Sequence, residues 1–190
     1  MRKTCEWASF DPKMQAYHDN EWGVPEHDDQ KLFELLILEG MQAGLSWSTI
    51  LKKRENFQKA FDYFDYHKIS KYSEKKVENL LQNEGIIRNK LKIQAVITNA
   101  KAFSKIVKEF GNFDKYIWSF VDNKPIINQR KSLSDIPPNT ALSDIISSDL
   151  RKRGFKFVGS TIIYAFMQAI GMVDDHLVYC FCHSNKRNND

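Results

Sequence analysis

The stretch VENLLQNEGIIRNKLKIQAVITNA, residues 77–100, predicts two helices joined by a short turn. Gly85 is typical of the position just after a helix, and Asn89 is typical of the residue that caps the start of the next one. The amides of such a turn and the positive end of the second helix form a site for phosphate. Positive charge near this site comes from Arg88, Lys90 and Lys92. Such a site holds a nucleic acid backbone without reading its sequence, although helix pairs of this kind also occur in many unrelated proteins.

Helix signals recur along the whole chain, and strand-like alternation is nearly absent. We therefore predict an all-α fold built from many short helices. The run from residue 45 to residue 61 is one such helix, and FKFV at 155–158 fits a short strand or, as we favour, a buried connector. Other helices are predicted to start and end at Asp28 or Asp29 and Gly40, Ser73 and Gly85, Thr140 and Gly154, and Ser160 and Gly171.

The length of 190 residues fits one domain of ordinary size, which we place at residues 1–183, followed by a disordered polar tail at 184–190. No apolar run is long enough to span a membrane, and the first residues lack the apolar segment of a secretory signal. We therefore expect a cytoplasmic monomer that acts without a membrane. The chain has three cysteines, and this odd number argues against a disulfide framework.

Charge is distributed unevenly along the chain. The net charge is +4, but residues 1–39 hold four Lys and Arg against nine Asp and Glu, which leaves about +9 on the rest. A basic body with runs such as KKR at 52–54 and RKRGFK at 151–156 suits a polyanionic partner, while the acidic start suits a cationic one. Such runs are also common on faces that contact only water.

Four residues near the two ends of the chain have side chains that bind metals. Cys5 and His18 lie near the start, and His176 and Cys180 are four residues apart near the end, a spacing that puts both on one face of a helical turn. Two thiolates and two imidazoles are an ordinary set of zinc ligands, and four protein ligands describe a closed, structural site. The alternative is that the two pairs do not share a metal ion. The gap between His18 and His176 is longer than the spacing of ligands in zinc fingers. Cys182 is a spare thiol that could replace a ligand.

One carboxylate falls on the apolar face of a predicted helix. Glu39 lies seven residues after Leu32 and shares its face with the leucines between them, which drives it toward the interior. A buried carboxylate needs hydrogen-bond donors, a cation or a proton. A pocket walled by the aromatic residues of 7–22 and by Trp47 would favour a flat, cationic ligand. The alternatives are that Glu39 reaches solvent at a frayed helix end and that the aromatic residues are plain core.

Several longer motifs resemble those of one known family. The chain carries, in order, AYHDNEWGVP, LEGMQAGLSW, ILKKRENF, GIIRNKLKIQAVI, WSFV, RKRGFKFVG, FMQAIGMVDDH and a terminal His-x3-Cys pair. This series resembles the 3-methyladenine DNA glycosylase I family, the helix-hairpin-helix enzymes often called TAG, from Cys5 to about Cys182. The resemblance implies a helix-hairpin-helix glycosylase fold and excision of 3-methyladenine from alkylated DNA. It also implies one structural zinc ion held by Cys5, His18, His176 and Cys180.

The resemblance further implies roles for the residues of the pocket and of the DNA contact. Glu39 and Tyr17 match the residues that form hydrogen bonds with the base, and Trp47 matches the wall on which the base stacks. Other aromatic residues of the implied pocket are Trp7 and Trp22. The residues implied to enter the gap in the duplex are Gln42 and Leu45. The implied hairpin that grips the DNA backbone contributes Gly85, Arg88 and Lys92.

These expectations lead to a mechanism. N3-methylated adenine is cationic within the nucleotide, so its glycosidic bond is already weakened and the base leaves as a neutral molecule. Little acid catalysis is then needed, and the aspartate that many related glycosylases carry soon after the hairpin is absent before Asp114, as it is in this family. We expect the base to be flipped out of double-stranded DNA and recognised by Glu39, the catalytic residue. Attack by water then releases free 3-methyladenine and leaves an abasic site, without lyase activity.

Two rival interpretations remain open on the sequence. One is a zinc-stabilised module that binds DNA through the hairpin and has no activity. The other is a hydrolase that uses zinc directly, which requires an open ligand position that a Cys2His2 set does not leave.

Overall fold

The computed structural model describes residues 3–187, and these residues are mostly helical, as predicted. The helices are α1 (Pro12–Asn20), α2 (Asp29–Gln42), α3 (Trp47–Ala60), α4 (Tyr66–Ile69), α5 (Glu74–Leu81), α6 (Lys90–Phe110), α7 (Phe113–Ser119), α8 (Ala141–Lys152), α9 (Ser160–Ala169) and α10 (Ser184–Arg187). Two short strands, β1 (Ile126–Ile127) and β2 (Val173–Asp174), pair in parallel. None of the helices in residues 3–187 has the length and apolar character that crossing a bilayer requires.

The centre of the fold is α2, which contacts α3, α6, α7 and α9. Residues 32–41, LFELLILEGM, are all buried, so α2 is covered on every side and not along one stripe. Asp28 caps its start by accepting a hydrogen bond from the backbone N–H of Lys31. The predicted end at Gly40 is wrong, because α2 continues for two more residues. A Cβ atom at Gly40 would lie 3.3 Å from Cβ of Phe157, so close packing, and not helix termination, accounts for this glycine.

Most helix starts are capped as the sequence predicts. Backbone hydrogen bonds at the starts of α5, α6 and α8 are accepted by the side chains of Ser73, Asn89 and Thr140. At α9 the cap is Gly159, and Ser160, the predicted cap, is the first helical residue. The segment 155–158 is a connector, as predicted.

The two ends of the described chain lie side by side. The backbone N–H of Phe181 donates to the carbonyl of Lys3 at 2.9 Å, and the N–H of Leu177 lies 3.5 Å from Sγ of Cys5. The side chains of Cys5 and Leu177 are buried in one cluster with two further cysteines. The fold therefore brings the predicted metal ligands of both ends into one region.

The last described residues include part of the predicted disordered tail. Ser184–Arg187 forms a helical turn, in which the N–H of Ser184 donates to the carboxylate of Asp174 at 2.8 Å. The guanidinium of Arg187 donates to the carbonyl of Asp19 at 3.0 Å. These contacts join residues 184–187 to the rest of the fold, while residues 188–190 lie outside the described residues. The disorder of the tail stays a prediction. The extent of a single domain over 1–183 stays a prediction.

Candidate active site and metal cluster

A cavity of about 340 Å³ opens between the N-terminal segment, α1, α2, α3 and α9. It is lined by Trp7, Met14, Tyr17, Trp22, Glu39, Gln42, Trp47, Ile136, Ala165 and Gln168. All of the residues that we expect to bind a base are in this lining, although they come from separate helices and loops. The structure therefore assembles the pocket, and the role of each residue toward a base stays a prediction.

Glu39 is buried in the wall of this cavity, with 5% of its surface exposed. Burial is the cause that raises the pKa of its carboxyl group, to about 8, and within residues 3–187 the group has no hydrogen-bond or ion-pair partner. The alternative in which Glu39 reaches solvent at a frayed helix end is therefore wrong. The carboxyl group is available to a ligand that brings hydrogen-bond donors or positive charge.

Two further polar groups of the pocket lack a partner in the protein. The hydroxyl of Tyr17 and the indole N–H of Trp47 are both buried, and neither has a hydrogen-bond partner in the described part of the chain. Their rings lie 5.2 Å apart at an angle of 52°. Burial, and next the nearby charge of Glu39, hold the pKa of Tyr17 well above its usual range, so this side chain stays a neutral donor. Buried polar groups without partners are costly, and a bound polar ligand would satisfy them.

The aromatic wall of the pocket continues into a second cluster. The ring centroid of Trp7 lies 5.1 Å from that of Trp22 and 5.2 Å from that of His18, with both pairs close to perpendicular. The ring of Trp22 in turn lies 4.7 Å from that of His176. Edge-to-face contacts of this kind are favourable and set the orientation of the rings. The position of the pocket wall therefore depends on the residues around His18 and His176.

The four predicted metal ligands converge behind this wall. The candidate ligand atoms of Cys5, His18 and Cys180 all lie within 4.8 Å of one another, and so do those of His18, His176 and Cys182. His18 belongs to both groups, and its Nε2 is 3.5 Å from Sγ of Cys180. The alternative in which these residues are unconnected is wrong, because the fold closes the long gap between the two pairs. Cys182 lies in the same cluster as a fifth donor.

Both histidines are oriented in the way that suits a metal ligand. Nδ1 of His18 is 2.7 Å from the carboxylate of Asp19, and Nδ1 of His176 is 2.8 Å from that of Asp174. Carboxylates in this position fix the ring and leave Nε2 for a metal. Nε2 of His176 is buried, and the described residues offer it no hydrogen bond. Thiols and imidazoles in this arrangement fit a zinc ion.

A partly buried ion network joins the three helices that carry the hydrogen-bonding and stacking residues of the pocket. Arg54 on α3 donates from two nitrogens to the carboxylate of Glu21, just after α1, at 2.9 Å each. Its Nε donates to Glu34 on α2 at 2.7 Å. The network was not predicted from the sequence. A signal was present, because Glu34 and Glu39 are the only charged residues in the apolar run 32–41.

The segment 82–89 between α5 and α6, which we call the hairpin, contains Gly85. The predicted end of α5 at this glycine is wrong, because the helix already ends at Leu81. The N–H of Gly85 donates to Oδ1 of Asn83 at 2.9 Å, and a Cβ atom here would lie 3.0 Å from Cγ of Asn56 on α3. The glycine therefore lets the hairpin pack closely against α3.

The other predicted hairpin residues differ in their exposure. Arg88 is exposed, and the backbone N–H groups of Ile87 and Arg88 have no acceptor within residues 3–187. Lys92 is instead buried, with 8% of its surface exposed. Its Nζ donates to the carbonyls of Met41 at 2.9 Å and Ala43 at 2.6 Å. The ammonium group of Lys92 is thus bonded inside the protein, and the predicted contact of this residue with DNA stays a prediction.

Gln42 and Leu45 lie at the entrance to the pocket. A second cavity of about 240 Å³ adjoins the first, and both are lined by Glu39, Gln42 and Ala165. Leu45 also lines the second cavity and is 40% exposed, in a loop where Gly44 has a φ of +79°. Their place beside the pocket agrees with the implied role at the gap in a duplex, which stays a prediction.

Four lining residues were missed from the sequence, namely Met14, Ile136, Ala165 and Gln168. Gln168 is a polar residue near the end of α9, after the apolar run 165–167, and this contrast was the available signal. Its Nε2 donates to the carboxylate of Asp175 at 2.8 Å. Ile136 lies between the short helical turn Leu133–Asp135 and α8, and nothing local marks it, because only the tertiary structure places that segment over the pocket.

Comparison with known proteins decides which family has this arrangement. The family model described as "Methyladenine glycosylase" matches residues 7–183. The chain belongs to the methyladenine glycosylase family. It is 52% identical to DNA-3-methyladenine glycosylase 1 of Escherichia coli over 96% of this chain and 98% of that protein. This glycosylase is therefore an enzyme, and the interpretation as an inactive DNA-binding module is wrong.

Two solved structures resemble the fold of this glycosylase. The 3-methyladenine DNA glycosylase I of Staphylococcus aureus, solved to describe its recognition of 3-methyladenine, is 36% identical, with a TM-score of 0.92 over 95% of this chain and 96% of that one. A variant of such an enzyme in complex with 3-methyladenine is 35% identical, with a TM-score of 0.92 over 95% of this chain and 97% of that one. The activity of the family, 3-methyladenine DNA glycosylase activity, is thus established for the class of enzyme to which this chain belongs.

Proposed function

We propose that this glycosylase flips 3-methyladenine out of alkylated double-stranded DNA and hydrolyses its glycosidic bond, releasing the free base and leaving an abasic site. The observation that supports this most strongly is the pocket itself. It presents a buried carboxyl group without a partner, Glu39, beside the buried and unsatisfied hydroxyl of Tyr17 and indole N–H of Trp47. A flat base with a polar edge satisfies Glu39 and Tyr17 while it stacks on the face of Trp47.

Glu39 discriminates the damaged base by charge. Burial raises the pKa of its carboxyl group to about 8, so that near neutral pH the group holds a proton in most molecules. A cationic base lowers this pKa and attracts the carboxylate, whereas a neutral adenine gives no such gain. Tyr17 stays protonated and orients the base as a hydrogen-bond donor, and Trp47 stacks on it. The cation–π attraction serves recognition and not rate, because it is lost when the base becomes neutral.

Bond cleavage requires little help from a proton donor. The C1′–N9 bond breaks with its electron pair going to the base, which neutralises the positive charge of the base. Positive charge then develops on the sugar, where the negative charge of Glu39 in a buried site acts strongly. Water adds to C1′ and gives up one proton to the solvent. No lysine is among the residues that line the pocket, and we therefore infer a monofunctional enzyme without lyase activity.

The hairpin and the loop after α2 contact the duplex DNA. The exposed Arg88 and the unpaired backbone N–H groups next to it suit a phosphate, and the packing of Gly85 on α3 fixes the hairpin. Gln42 and Leu45 enter the space that the flipped nucleotide leaves. The monomeric state of the enzyme and its location in the cytoplasm stay predictions.

We further infer that Cys5, His18, His176 and Cys180 hold one structural zinc ion. When bound, zinc links the two ends of the chain through a closed set of four ligands and leaves no open position for hydrolysis. Its function in this enzyme is then to fix the aromatic wall, because Trp7 packs on His18 and Trp22 packs on His176.

The zinc assignment is tested by metal content. Mass spectrometry of the purified protein is expected to find about one zinc per chain. Cys180→Ser is expected to lose the metal and Cys182→Ser to retain it. Retention by Cys180→Ser with loss by Cys182→Ser would reverse the assignment of the fourth ligand.

The activity is tested by release of free 3-methyladenine from methylated duplex DNA. The parent enzyme is expected to release it, and Glu39→Ala and Trp47→Ala are expected to lose release, with circular dichroism confirming that both are folded. Glu55→Ala removes an exposed carboxylate on α3 and serves as the control. No release by a folded, zinc-loaded parent would contradict the proposed function. Full release by Glu39→Gln, with unchanged binding of free 3-methyladenine, would contradict the role of Glu39 alone.

A further inference from the structure

Lys92 is a buried cation that the proposed mechanism does not use. It lies in the first turn of α6, directly after the hairpin, where its backbone N–H is held by the cap residue Asn89 at 3.0 Å. Removing an ammonium group from water is costly unless it is fully bonded. The position of Lys92 follows that of the hairpin, because the cap fixes this turn of α6.

The partners of Lys92 are backbone carbonyls at the end of α2. Within the described chain its Nζ donates to the carbonyls of Met41 and Ala43, and no carboxylate pairs with it. The carbonyls at the C-terminal end of a helix lack partners inside the helix and carry partial negative charge, so a lysine there is favourable.

At this end of α2, Lys92 donates the hydrogen bonds that come from a distant part of the sequence. The neighbouring carbonyls of Gly40 and Gln42 accept local bonds, from the N–H groups of Ala43 at 3.3 Å and Leu45 at 2.6 Å. The carbonyls of Met41 and Ala43 are left to Lys92. The path of the chain from α2 into the loop that carries Leu45 is thus held from α6.

We propose that Lys92 is a positioning residue that couples the hairpin to the loop Gln42–Leu45, and so holds this loop in place to enter the duplex when the hairpin binds the backbone. The inference rests on the proposed function, and it replaces the direct phosphate contact expected from the sequence. The loop lines the cavity beside Glu39, and a small displacement of such a segment is enough to lower the rate of a reaction considerably.

The test compares Lys92→Met with Lys90→Met. Both substitutions remove one positive charge from the first turn of α6, but Lys90 is exposed and Lys92 is buried. Three quantities are measured for each: the single-turnover rate of 3-methyladenine release from methylated duplex DNA, the affinity for free 3-methyladenine, and the dependence of duplex affinity on salt concentration.

For Lys92→Met we expect the release rate to fall by about tenfold to a hundredfold. The affinity for the free base is expected to change by less than about twofold, and the salt dependence to stay that of the parent, because no phosphate contact is lost. For Lys90→Met, which removes a charge beside the predicted phosphate site, we expect a weaker affinity for duplex DNA and a smaller salt dependence than for the parent.

Three results for Lys92→Met would overturn the proposal. An unchanged release rate would show that the loop does not depend on Lys92. A loss of free-base affinity as large as the loss of release rate would show that Lys92 acts on the pocket wall. A decrease of about one in the magnitude of the slope of log affinity against log salt would show that Lys92 contacts a phosphate directly. If Lys92→Met does not fold, Lys92→Gln, which keeps a shorter donor, is measured in the same way. Absence of release by the parent enzyme would instead contradict the proposed function.

Discussion

Replacement of Glu39 by glutamine removes a titration that burial has shifted into the neutral pH range. The carboxyl group has a pKa of about 8 in the folded protein against an ordinary value of 4.5. The folded state therefore holds this proton more tightly than the unfolded chain does. The stabilisation is fully present below the unfolded pKa and is lost as pH rises through the folded pKa.

The size of this effect follows from the shift. Each unit of pKa difference corresponds to about 1.4 kcal/mol, which gives about 5 kcal/mol over the whole titration and about 3 kcal/mol between about pH 5 and 7.5. As the pH rises from about 5 to about 7.5, the free energy of unfolding of the parent is expected to decrease by about 3 kcal/mol relative to that of Glu39→Gln. The variant keeps a similar shape and a neutral amide, so it does not share the decrease.

Urea unfolding at half-unit pH intervals measures this difference. Both proteins contain the same histidines and cysteines, so the titrations of these groups cancel when one curve is subtracted from the other. A difference that stays constant across the range would refute the reasoning that Glu39 is buried without a partner. If the parent instead becomes more stable relative to Glu39→Gln as pH rises, a cation in the folded protein must stabilise the carboxylate.

Three further perturbations test the metal cluster, the ion network and a close backbone contact. Removal of zinc by a chelator is expected to lower the melting temperature of the parent but not that of His176→Ala, and equal shifts would contradict a site that includes His176. Arg54→Met removes the guanidinium that binds Glu21 and Glu34, while Lys31 still pairs with both carboxylates and Gln58 still donates to Glu34. The substitution is expected to cost about 1 to 3 kcal/mol in urea unfolding, so a loss below about 0.5 kcal/mol would contradict the role of Arg54 in the network. Gly171→Ala is expected to cost about 3 kcal/mol or more, because its Cβ would lie 2.2 Å from the backbone carbon of Val24 at a φ of +69°. Gly154→Ala, at a φ of +94° with open space around its Cβ, is the control and is expected to lose only about 1 kcal/mol in calorimetry.

The sequence alone determined the features that depend on neighbours within one or two turns. The caps at Asp28, Ser73, Asn89 and Thr140 were predictable because a side chain and the backbone groups that it caps are close in the chain. The motifs also predicted the pocket residues, because the resemblance to a family carries tertiary information that spacing does not. Spacing alone left open whether the two halves of the metal cluster meet.

Only the tertiary structure decided the state of the buried charges. Glu39 and Lys92 were both assigned to functional contacts from the sequence, yet the fold leaves the first without a partner and bonds the second to the end of α2. Glycine was likewise ambiguous, because Gly40 serves close packing inside a helix and does not end it. The physical reason is common to all three. The energy of a charge or of a missing side chain depends on which distant segments cover it, and that is set by the packing of the whole chain.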